Sequence, residues 1–134
     1  MIIEPTTDRE VISALELASF EEHFLTAHTF GRATWWVITE RGTPIGYAGA
    51  YMAQPENWCI IEHYGVIPEA QNRGVGRLLL ARCISWGREQ GAAGVSTYTM
   101  PYNIPSGRCL MRAGFQMFAP VWADRALLYW WLPL

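Results

Sequence analysis

The spacing of apolar residues along the first half of the chain changes from helical to strand-like. Between Arg9 and His28 the apolar side chains recur at roughly helical spacing, which predicts one interrupted helix or two short helices after a possible strand at residues 1–4. Gly31 is then expected to open the first of three runs rich in β-branched and aromatic residues. These runs cover residues 33–39, 45–53 and 58–67. Turn residues separate them, so the pattern predicts an antiparallel meander.

The second half alternates between the two kinds of pattern. A helix is predicted to start near Val75 and to end at Gly91, because apolar residues line one side of this segment and a glycine follows it. The remaining predicted elements are a strand at 95–100, a compact helix at 106–113, and a closing hairpin of 115–121 with 126–132. This order of elements predicts an α+β fold, in which helices cover a mixed sheet.

Composition narrows the class of protein. The chain has 134 residues, of which 51% are hydrophobic and 16% charged, as expected for one globular domain. Its formal net charge of −2 gives no general case for nucleic acid or an anionic membrane as partner. No apolar run approaches the roughly 20 residues of a membrane span, and the start lacks a secretory pattern, so a cytoplasmic protein is expected.

The cysteines give no sign of a metal or disulfide framework. Cys59, Cys83 and Cys109 lie far apart and form no CxxC or His/Cys motif. Three small buried side chains in a reducing compartment are therefore expected, with no bound metal.

A glycine-containing loop is the most informative segment. It precedes a predicted helix, whose first turn has unpaired backbone N–H groups and a dipole that favours an anion. Gly74 and Gly76 would allow a phosphate to approach these donors, and Arg73 and Arg77 add positive charge. Leu79 stands where a dinucleotide fingerprint would have its third glycine, and no Lys-Ser/Thr pair follows as in a Walker loop. A tight turn with close helix packing would use the same glycines.

Three short motifs stand in order around this loop. They are Ile61-Glu62-His63-Tyr64-Gly65-Val66-Ile67-Pro68-Glu69, then Gln71-x-x-Gly74-x-Gly76, then Asn103 followed by Gly114-Phe115. Together they resemble the GNAT superfamily of acyl-CoA-dependent N-acetyltransferases, whose loop reads Gln/Arg-x-x-Gly-x-Gly/Ala and whose fourth strand often reads hydrophobic-Glu-x-x-x-Val-x-Pro. The resemblance covers nearly the whole chain. It implies a single domain over residues 1–134, with about six to seven mostly antiparallel strands and helices on both faces.

The resemblance also implies an acetyl-CoA site. In this family two parallel strands separate and the pantetheine arm enters between them, which places the gap between 61–67 and 95–100 of this chain. Val66 and Ile67 would offer main-chain groups to the arm, and Asn103 and Ser106 would lie beside it, with a turn residue as the alternative interpretation of Asn103. The pyrophosphate would be held at Gln71, Asn72, Arg73, Gly74, Val75, Gly76 and Arg77.

The implied reaction is direct transfer of an acetyl group from the thioester to a primary amine. A free alkyl ammonium has a pKa near ~10.4, so a base that removes its proton is useful. Glu62 is the candidate base, since it lies at the family's recurrent glutamate position and burial would raise its pKa. It could instead hold a cationic acceptor without accepting a proton. His63 is expected to face the other side of the strand.

One position departs from the family pattern. Many members carry a tyrosine four residues before the Gly-Phe glycine, where its hydroxyl protonates the departing thiolate, and this chain has Leu110 there. Tyr102, Ser106 and Cys109 are nearby alternatives, or water could supply the proton. A catalytically silent acyl-CoA-binding module therefore remains the alternative function, and an α+β interaction domain without cofactor a third.

Tryptophan pairs suggest an association surface. Trp35-Trp36 and Trp130-Trp131 lie on predicted strands, so each pair must point to both faces of the sheet. One member of each pair is then covered by a helix, a substrate or another subunit. We expect a possible homodimer that uses the C-terminal strand region. The acceptor could be a small molecule or a peptide amine, and the sequence does not distinguish them.

Overall fold

The computed structural model describes residues 1–120, 122–124 and 126–134, which form one seven-stranded sheet with four α-helices. The elements in chain order are β1 (Ile2–Thr6), α1 (Arg9–Phe20), α2 (Ala27–Arg32), β2 (Thr34–Glu40), β3 (Thr43–Ala53), β4 (Trp58–Val66), α3 (Val75–Glu89), β5 (Gly94–Thr99), α4 (Ile104–Arg112), β6 (Gln116–Phe118) and β7 (Leu128–Pro133). A single turn of 3₁₀ helix at Pro68–Ala70 connects β4 to the loop before α3.

The sheet has the strand order β1-β2-β3-β4-β5-β7-β6. Strands β2, β3 and β4 form the predicted antiparallel meander, and β6 pairs with β7 as the predicted closing hairpin. Only β4 and β5 run parallel among the described strands. The prediction of an α+β fold with a mostly antiparallel sheet is therefore confirmed.

The parallel junction between β4 and β5 is short. These strands pair at three positions, from Trp58 opposite Gly94 to Ile60 opposite Ser96. Beyond them β4 continues to Val66 and β5 to Thr99 with no further pair between the two strands in the described part of the chain. The Thr97 hydroxyl donates to the Ile61 carbonyl oxygen at 3.2 Å, which marks where the strands separate. The predicted gap between these two strands is present.

Each face of the sheet is covered by one pair of helices. On one face α1 and α2 pack against a cluster that contains Ile12, Leu15, Trp35 and Tyr47. On the other face α3 and α4 cover the larger core, which contains Trp36, Trp130 and the apolar side of α3. Trp35 and Trp36 thus point to opposite faces, as the alternation of strand side chains requires, and helices cover both.

The N-terminal helical region consists of two separate helices. Asp8 caps α1 by accepting from the backbone N–H groups of its first turn, and Glu21 ends α1 in the left-handed conformation with φ of 60°. Thr26 then starts α2 with a capping box. The prediction that Gly31 opens a strand was wrong: Gly31 lies inside α2, because the capping box sets the helix start late enough that its last turn reaches Arg32.

The C-terminal elements are shifted or shortened relative to the prediction. Helix α4 begins at Ile104 because Asn103 caps it, two residues before the predicted start. Strand β6 ends at Phe118, and the predicted continuation to Val121 reaches a residue outside those that the structure describes. No helix in the described ranges is long and apolar enough to cross a membrane.

Candidate active site

The N-terminus of α3 faces a loop whose backbone has two left-handed residues. Asn72 has φ of 62° and Gly74, the N-cap, has φ of 81°. No described side chain caps this helix, and its first internal backbone bond is donated by Leu78 to the Gly74 carbonyl oxygen. The N–H groups before Leu78 are therefore available to an external acceptor, and the helix dipole makes an anion the favoured one.

A cavity of about 560 Å³ opens directly in front of this helix N-terminus. It extends along the end of β4 and reaches both faces of the sheet. Its wall is formed by Ser19, Phe20, Tyr64, Gly65, Val66, Ala70, Gln71, Asn72, Gly74, Val75, Gly76, Arg77, Asn103, Pro105, Ser106, Cys109 and Arg112. The Ser19 hydroxyl in this wall is buried and has no hydrogen-bond partner in the described structure. A ligand with polar groups would satisfy it.

Glycine at position 76 keeps the cavity open beside the helix. A Cβ at this position would lie 3.7 Å from the Cys109 sulfur and 4.0 Å from a Val66 methyl carbon, so any longer side chain would extend into the space between β4 and α4. Gly74 has open surroundings, and its left-handed backbone favours glycine. The loop is therefore shaped for close approach of a ligand to the backbone.

Nine of the eleven predicted cofactor contacts line this cavity. They are Val66, Gln71, Asn72, Gly74, Val75, Gly76, Arg77, Asn103 and Ser106. Ile67 and Arg73 are the two that do not. The Ile67 N–H donates to the Ile45 carbonyl oxygen at 3.0 Å, and the Ile67 carbonyl accepts from the Ala70 N–H at 3.0 Å. Arg73 forms an ion pair with Glu40 of β2.

The main-chain groups at the end of β4 are divided between its two neighbours. Because Ile67 bonds toward β3, Val66 directs its carbonyl to the opposite side, where the gap lies. There the carbonyl oxygen accepts a hydrogen bond from the Gln71 side-chain amide at 3.1 Å. Val66, rather than Ile67, therefore presents main chain to the gap, and Gln71 joins β4 to the loop.

Asn103 and Ser106 lie at the start of α4, on the far wall of the cavity. The Asn103 side-chain oxygen accepts from the Ser106 N–H at 3.3 Å, which makes Asn103 the helix N-cap. The Ser106 hydroxyl forms a hydrogen bond with the Tyr64 hydroxyl of β4. This pair connects the two walls across the gap.

A β-bulge in β4 changes the direction of Glu62. The pairing with β3 shifts from Gly49 opposite His63 to Ala50 opposite Ile61, so Glu62 has no partner residue. Its carboxylate accepts two hydrogen bonds from the Arg32 guanidinium of α2, at 2.8 and 2.9 Å. Arg32 also lies over the Tyr51 ring, 4.4 Å from its centroid. Glu62 is thus nearly buried, and both of its carboxylate oxygens bond to the single nitrogen Nη2 of Arg32 on the α1–α2 face.

His63 points to the same face as Glu62, which corrects the prediction of opposite sides. The bulge inserts one residue and so breaks the strict alternation of the strand. The His63 ring packs against Phe20 and Phe24, and its Nδ1 lies 2.6 Å from the Tyr47 hydroxyl and 3.9 Å from the Glu16 carboxylate. Burial lowers the pKa of His63 to about 4 and raises that of Tyr47, so a neutral imidazole accepts from a protonated phenol.

Glu16 is a fully buried carboxylate that the sequence did not identify. It accepts from the Leu25 N–H at 3.2 Å and contacts the His23 ring at 3.2 Å, so it connects α1 to the segment between α1 and α2. In the sequence Glu16 is one polar residue in an amphipathic helix, and no local signal distinguishes it. Arg32 was missed for a similar reason, because its partner is 30 residues away in the chain.

Leu110 is fully buried in the core beneath α4, where the family pattern has a tyrosine. Of the three alternative donors, Ser106 and Cys109 line the cavity, whereas Tyr102 is 80% exposed and lies outside its wall. Burial raises the pKa of the Cys109 thiol. All three cysteines are free. In the described ranges no three His, Cys, Asp or Glu side chains converge on a metal site.

These features fit an acyl-CoA as ligand. An uncapped helix N-terminus with glycines at the closest approach suits a pyrophosphate, and the adjoining gap between β4 and β5 suits an extended arm with amide groups. The cavity connects the two sites. The gap opens beside Glu62 on one face and beside Tyr64 and Ser106 on the other.

Solved structures with the same fold are acetyltransferases. The IAA acetyltransferase from Bacillus cereus ATCC 14579 superposes with a TM-score of 0.85 at 16% identity, covering 99% of each chain. The ribosomal-protein-S18-alanine N-acetyltransferase from Escherichia coli gives 0.81 at 18% identity, over 98% of this chain and 92% of its own. A Bacillus subtilis acetyltransferase in complex with CoA gives 0.80 at 16% identity, over 98% and 97%.

Comparison by sequence gives the family directly. No curated protein matches the chain. The sequence profile described as the Acetyltransferase (GNAT) family matches residues 4–115, which run from the middle of β1 through α4 and include all of the cavity wall. Fold and sequence agree with the geometry of the cavity, and the chain therefore belongs to the GNAT acetyltransferase family.

Proposed function

We propose that this protein transfers an acetyl group from acetyl-CoA to a primary amine by direct attack. The observation that carries the proposal is the separation of β4 from β5 after three residue pairs, directly beside an uncapped helix N-terminus. Acetyl-CoA would supply an acyl group already activated as a thioester. The whole described sheet takes part in this arrangement, so we also propose that residues 1–134 act as one domain.

The residues that would hold the donor follow from the cavity wall. The N–H groups from Gly74 to Arg77 would bind the pyrophosphate, and the Arg77 side chain would add positive charge. Val66 would pair with the arm once its carbonyl is free of the Gln71 amide. Asn103 and Ser106 would form the opposite wall. Arg73 would contribute only if it left Glu40.

The acceptor amine would approach from the α1–α2 face. Glu62 follows the last β4 residue that pairs with β5 by two positions and bonds to Arg32 on that face, where it would accept the proton of the amine or hold its ammonium form. Arg32 occupies both carboxylate oxygens, so the acceptor must share Glu62 with this guanidinium or displace it. Such a displacement would replace one ion pair of Glu62 with another. Only acceptors that bind a carboxylate well would therefore reach Glu62.

Binding of the donor is tested by calorimetry with acetyl-CoA on two matched valine variants. Gly76→Val directs a side chain into the cavity, so we expect it to abolish measurable binding. Ala81→Val places the same side chain on the exposed side of the same helix and should bind like the wild type. If the wild type fails to bind acetyl-CoA, or if both variants bind equally, the proposed site is wrong.

Catalysis is tested by following thiol release with a panel of amines. The panel contains spermidine, a peptide with N-terminal alanine and an acetyl-capped peptide with one lysine, so that it covers small-molecule and peptide acceptors. We expect Glu62→Gln to lower the rate by about 10²–10⁴-fold while leaving acetyl-CoA affinity unchanged. A variant as fast as the wild type would exclude Glu62 from the reaction.

A catalytically silent acyl-CoA-binding module is the second candidate, and two observations favour it. Leu110 supplies no hydroxyl, and Glu62 is engaged by Arg32. Tight binding of acetyl-CoA with no thiol release from any amine of the panel would support this alternative. Three free thiols fit a reducing compartment, so we propose the cytoplasm as the location for either function.

A further inference from the structure

Tyr64 places a phenol at the gap, opposite the helix that lacks the family's tyrosine. Its side chain leaves β4 on the α3–α4 face, lines the cavity and is partly buried. Its hydroxyl bonds to the hydroxyl of Ser106 in the first turn of α4. Tyr64 also lies two residues before Val66, about 7 Å along the strand, so its side chain is close to the main-chain group that faces the gap.

Ser106, the partner of the Tyr64 hydroxyl, lies one helical turn before residue 110. Ser106 and Leu110 are four residues apart in α4 and therefore lie on the same side of the helix, one turn from each other. Helical side chains lean toward the N-terminus, so a long side chain at position 110 would extend over the turn that contains Ser106. The Tyr64 hydroxyl reaches this same turn from the opposite wall.

We propose that Tyr64 donates the hydrogen bond to the departing sulfur that a tyrosine at position 110 would otherwise donate. The inference rests on the proposed function. When the arm of the donor enters the gap, the Tyr64 hydroxyl exchanges its Ser106 partner for the sulfur. Leu110 then fills the core beneath α4, and the catalytic hydroxyl comes from β4 instead.

The chemistry of the step balances without further reactants. The amine nitrogen forms a bond to the acyl carbon, the carbon–sulfur bond breaks, and the sulfur leaves with the electron pair as a thiolate. The proton lost by the amine passes to Glu62 and then to solvent, and the thiolate takes one proton from solvent. Tyr64 stabilises the charge on sulfur while it develops. Burial raises the pKa of Tyr64, so the phenol stays protonated and remains a donor at neutral pH.

The first test measures the acid strength of the bound CoA thiol, which does not depend on turnover. CoA labelled with carbon-13 next to the sulfur is titrated with pH in complex with the protein, and its chemical shift reports thiolate formation. A donor at the sulfur predicts that binding to the wild type lowers the thiol pKa relative to free CoA. In Tyr64→Phe the pKa of the bound thiol should rise by about one unit, a tenfold change in the ionisation equilibrium.

The second test measures the single-turnover rate of acetyl transfer to the best amine of the panel. Tyr64→Phe should lower this rate by about 10- to 100-fold while the Kd for acetyl-CoA stays at the wild-type value. The matched control is Tyr129→Phe, which removes another phenol hydroxyl, one that accepts a hydrogen bond from the Asp124 N–H outside the cavity wall. It should change neither the rate nor the thiol pKa.

The outcomes separate this inference from the function on which it rests. A bound thiol pKa that is the same in the wild type and in Tyr64→Phe overturns the inference. A parallel loss of rate and acetyl-CoA affinity, with an unmoved thiol pKa, also overturns it, because Tyr64 would then only support the wall through Ser106. If the wild type binds CoA but acetylates no amine, the proposed function fails, and the thiol titration still decides the role of Tyr64.

Discussion

Glu62 and His63 are neighbours in β4 that meet two different electrostatic environments on one face of the sheet. The Glu62 carboxylate bonds to one nitrogen of the Arg32 guanidinium, whereas the His63 ring is packed among aromatic rings and bonded to a phenol. A charged pair and a neutral pair thus lie side by side at the gap. The charged Glu62–Arg32 pair suits binding of the acceptor amine, whereas the neutral His63–Tyr47 pair suits a structural role beneath α1.

Burial of His63 makes stability depend on pH in a defined range. Its pKa is about 4 in the folded protein and about 6.5 in an unfolded chain, so between these values the unfolded state binds more protons. The free energy of unfolding should therefore fall as the pH is lowered from about 6.5 to about 4, by at most about 1.4 kcal/mol per pH unit from this group. Urea unfolding across that range measures the slope.

The comparison uses two histidine variants. His63→Gln keeps an acceptor for Tyr47 and removes the titrating ring, so its slope should be flatter than that of the wild type. His28→Gln changes an exposed histidine of α2 and should keep the wild-type slope. Equal slopes for the wild type and His63→Gln would show that His63 is not the group responsible.

At the scale of elements, α4 begins at the cavity wall, and its cap serves both helix and site. Asn103 caps α4 through the Ser106 N–H and also lines the cavity. We expect Asn103→Ala to lower the free energy of unfolding by about 1 kcal/mol, as for other lost caps, and to weaken acetyl-CoA binding. Urea unfolding and calorimetry with acetyl-CoA measure the two effects.

The control for this prediction is another helix cap at a distance from the cavity. Asp8 caps α1 by accepting from the Glu10 and Val11 N–H groups, and it does not line the cavity. Asp8→Ala should cost a similar free energy and leave the acetyl-CoA affinity unchanged. If Asn103→Ala behaves like Asp8→Ala in both measurements, Asn103 is a helix cap and has no role in binding.

Local patterns predicted the elements and their antiparallel pairing well, but not the irregular register within β4. Strand composition and turn residues gave β2, β3 and β4 within a few residues, and the glycine loop gave the start of α3. The bulge at Glu62 depends on how β4 aligns with β3, which no local pattern in β4 records. The pairs Arg32–Glu62 and Tyr64–Ser106 join residues 30 and 42 positions apart, so they became visible only in the folded chain.

At the scale of the whole molecule, the C-terminal end of the sheet has the features of an interface. Strand β6 is an edge of only three residues, and large apolar side chains are exposed there or on the adjoining segments. These side chains are Met111, Met117 and Trp122, each more than half exposed. An exposed edge with an apolar surface is a typical site of association.

We therefore predict a homodimer through this region. Light scattering at concentrations on the order of tens of micromolar should give twice the monomer mass. Trp122→Glu should give the monomer mass, because the charge would be buried without a partner. Ile2→Glu, on the opposite edge strand β1, should leave the dimer intact. A monomeric wild type would contradict the prediction.

The short junction between β4 and β5 also determines how the sheet holds together. Three residue pairs join a four-stranded half, β1 to β4, to a three-stranded half, β5 to β7. Beyond them, no backbone pair joins the two strands in the described part of the chain, so we expect the amides along their facing edges to exchange hydrogen with solvent. A ligand that pairs with both strands would protect the amides of both edges from exchange at once. Ligand binding and the stability of the sheet against local opening are therefore thermodynamically linked.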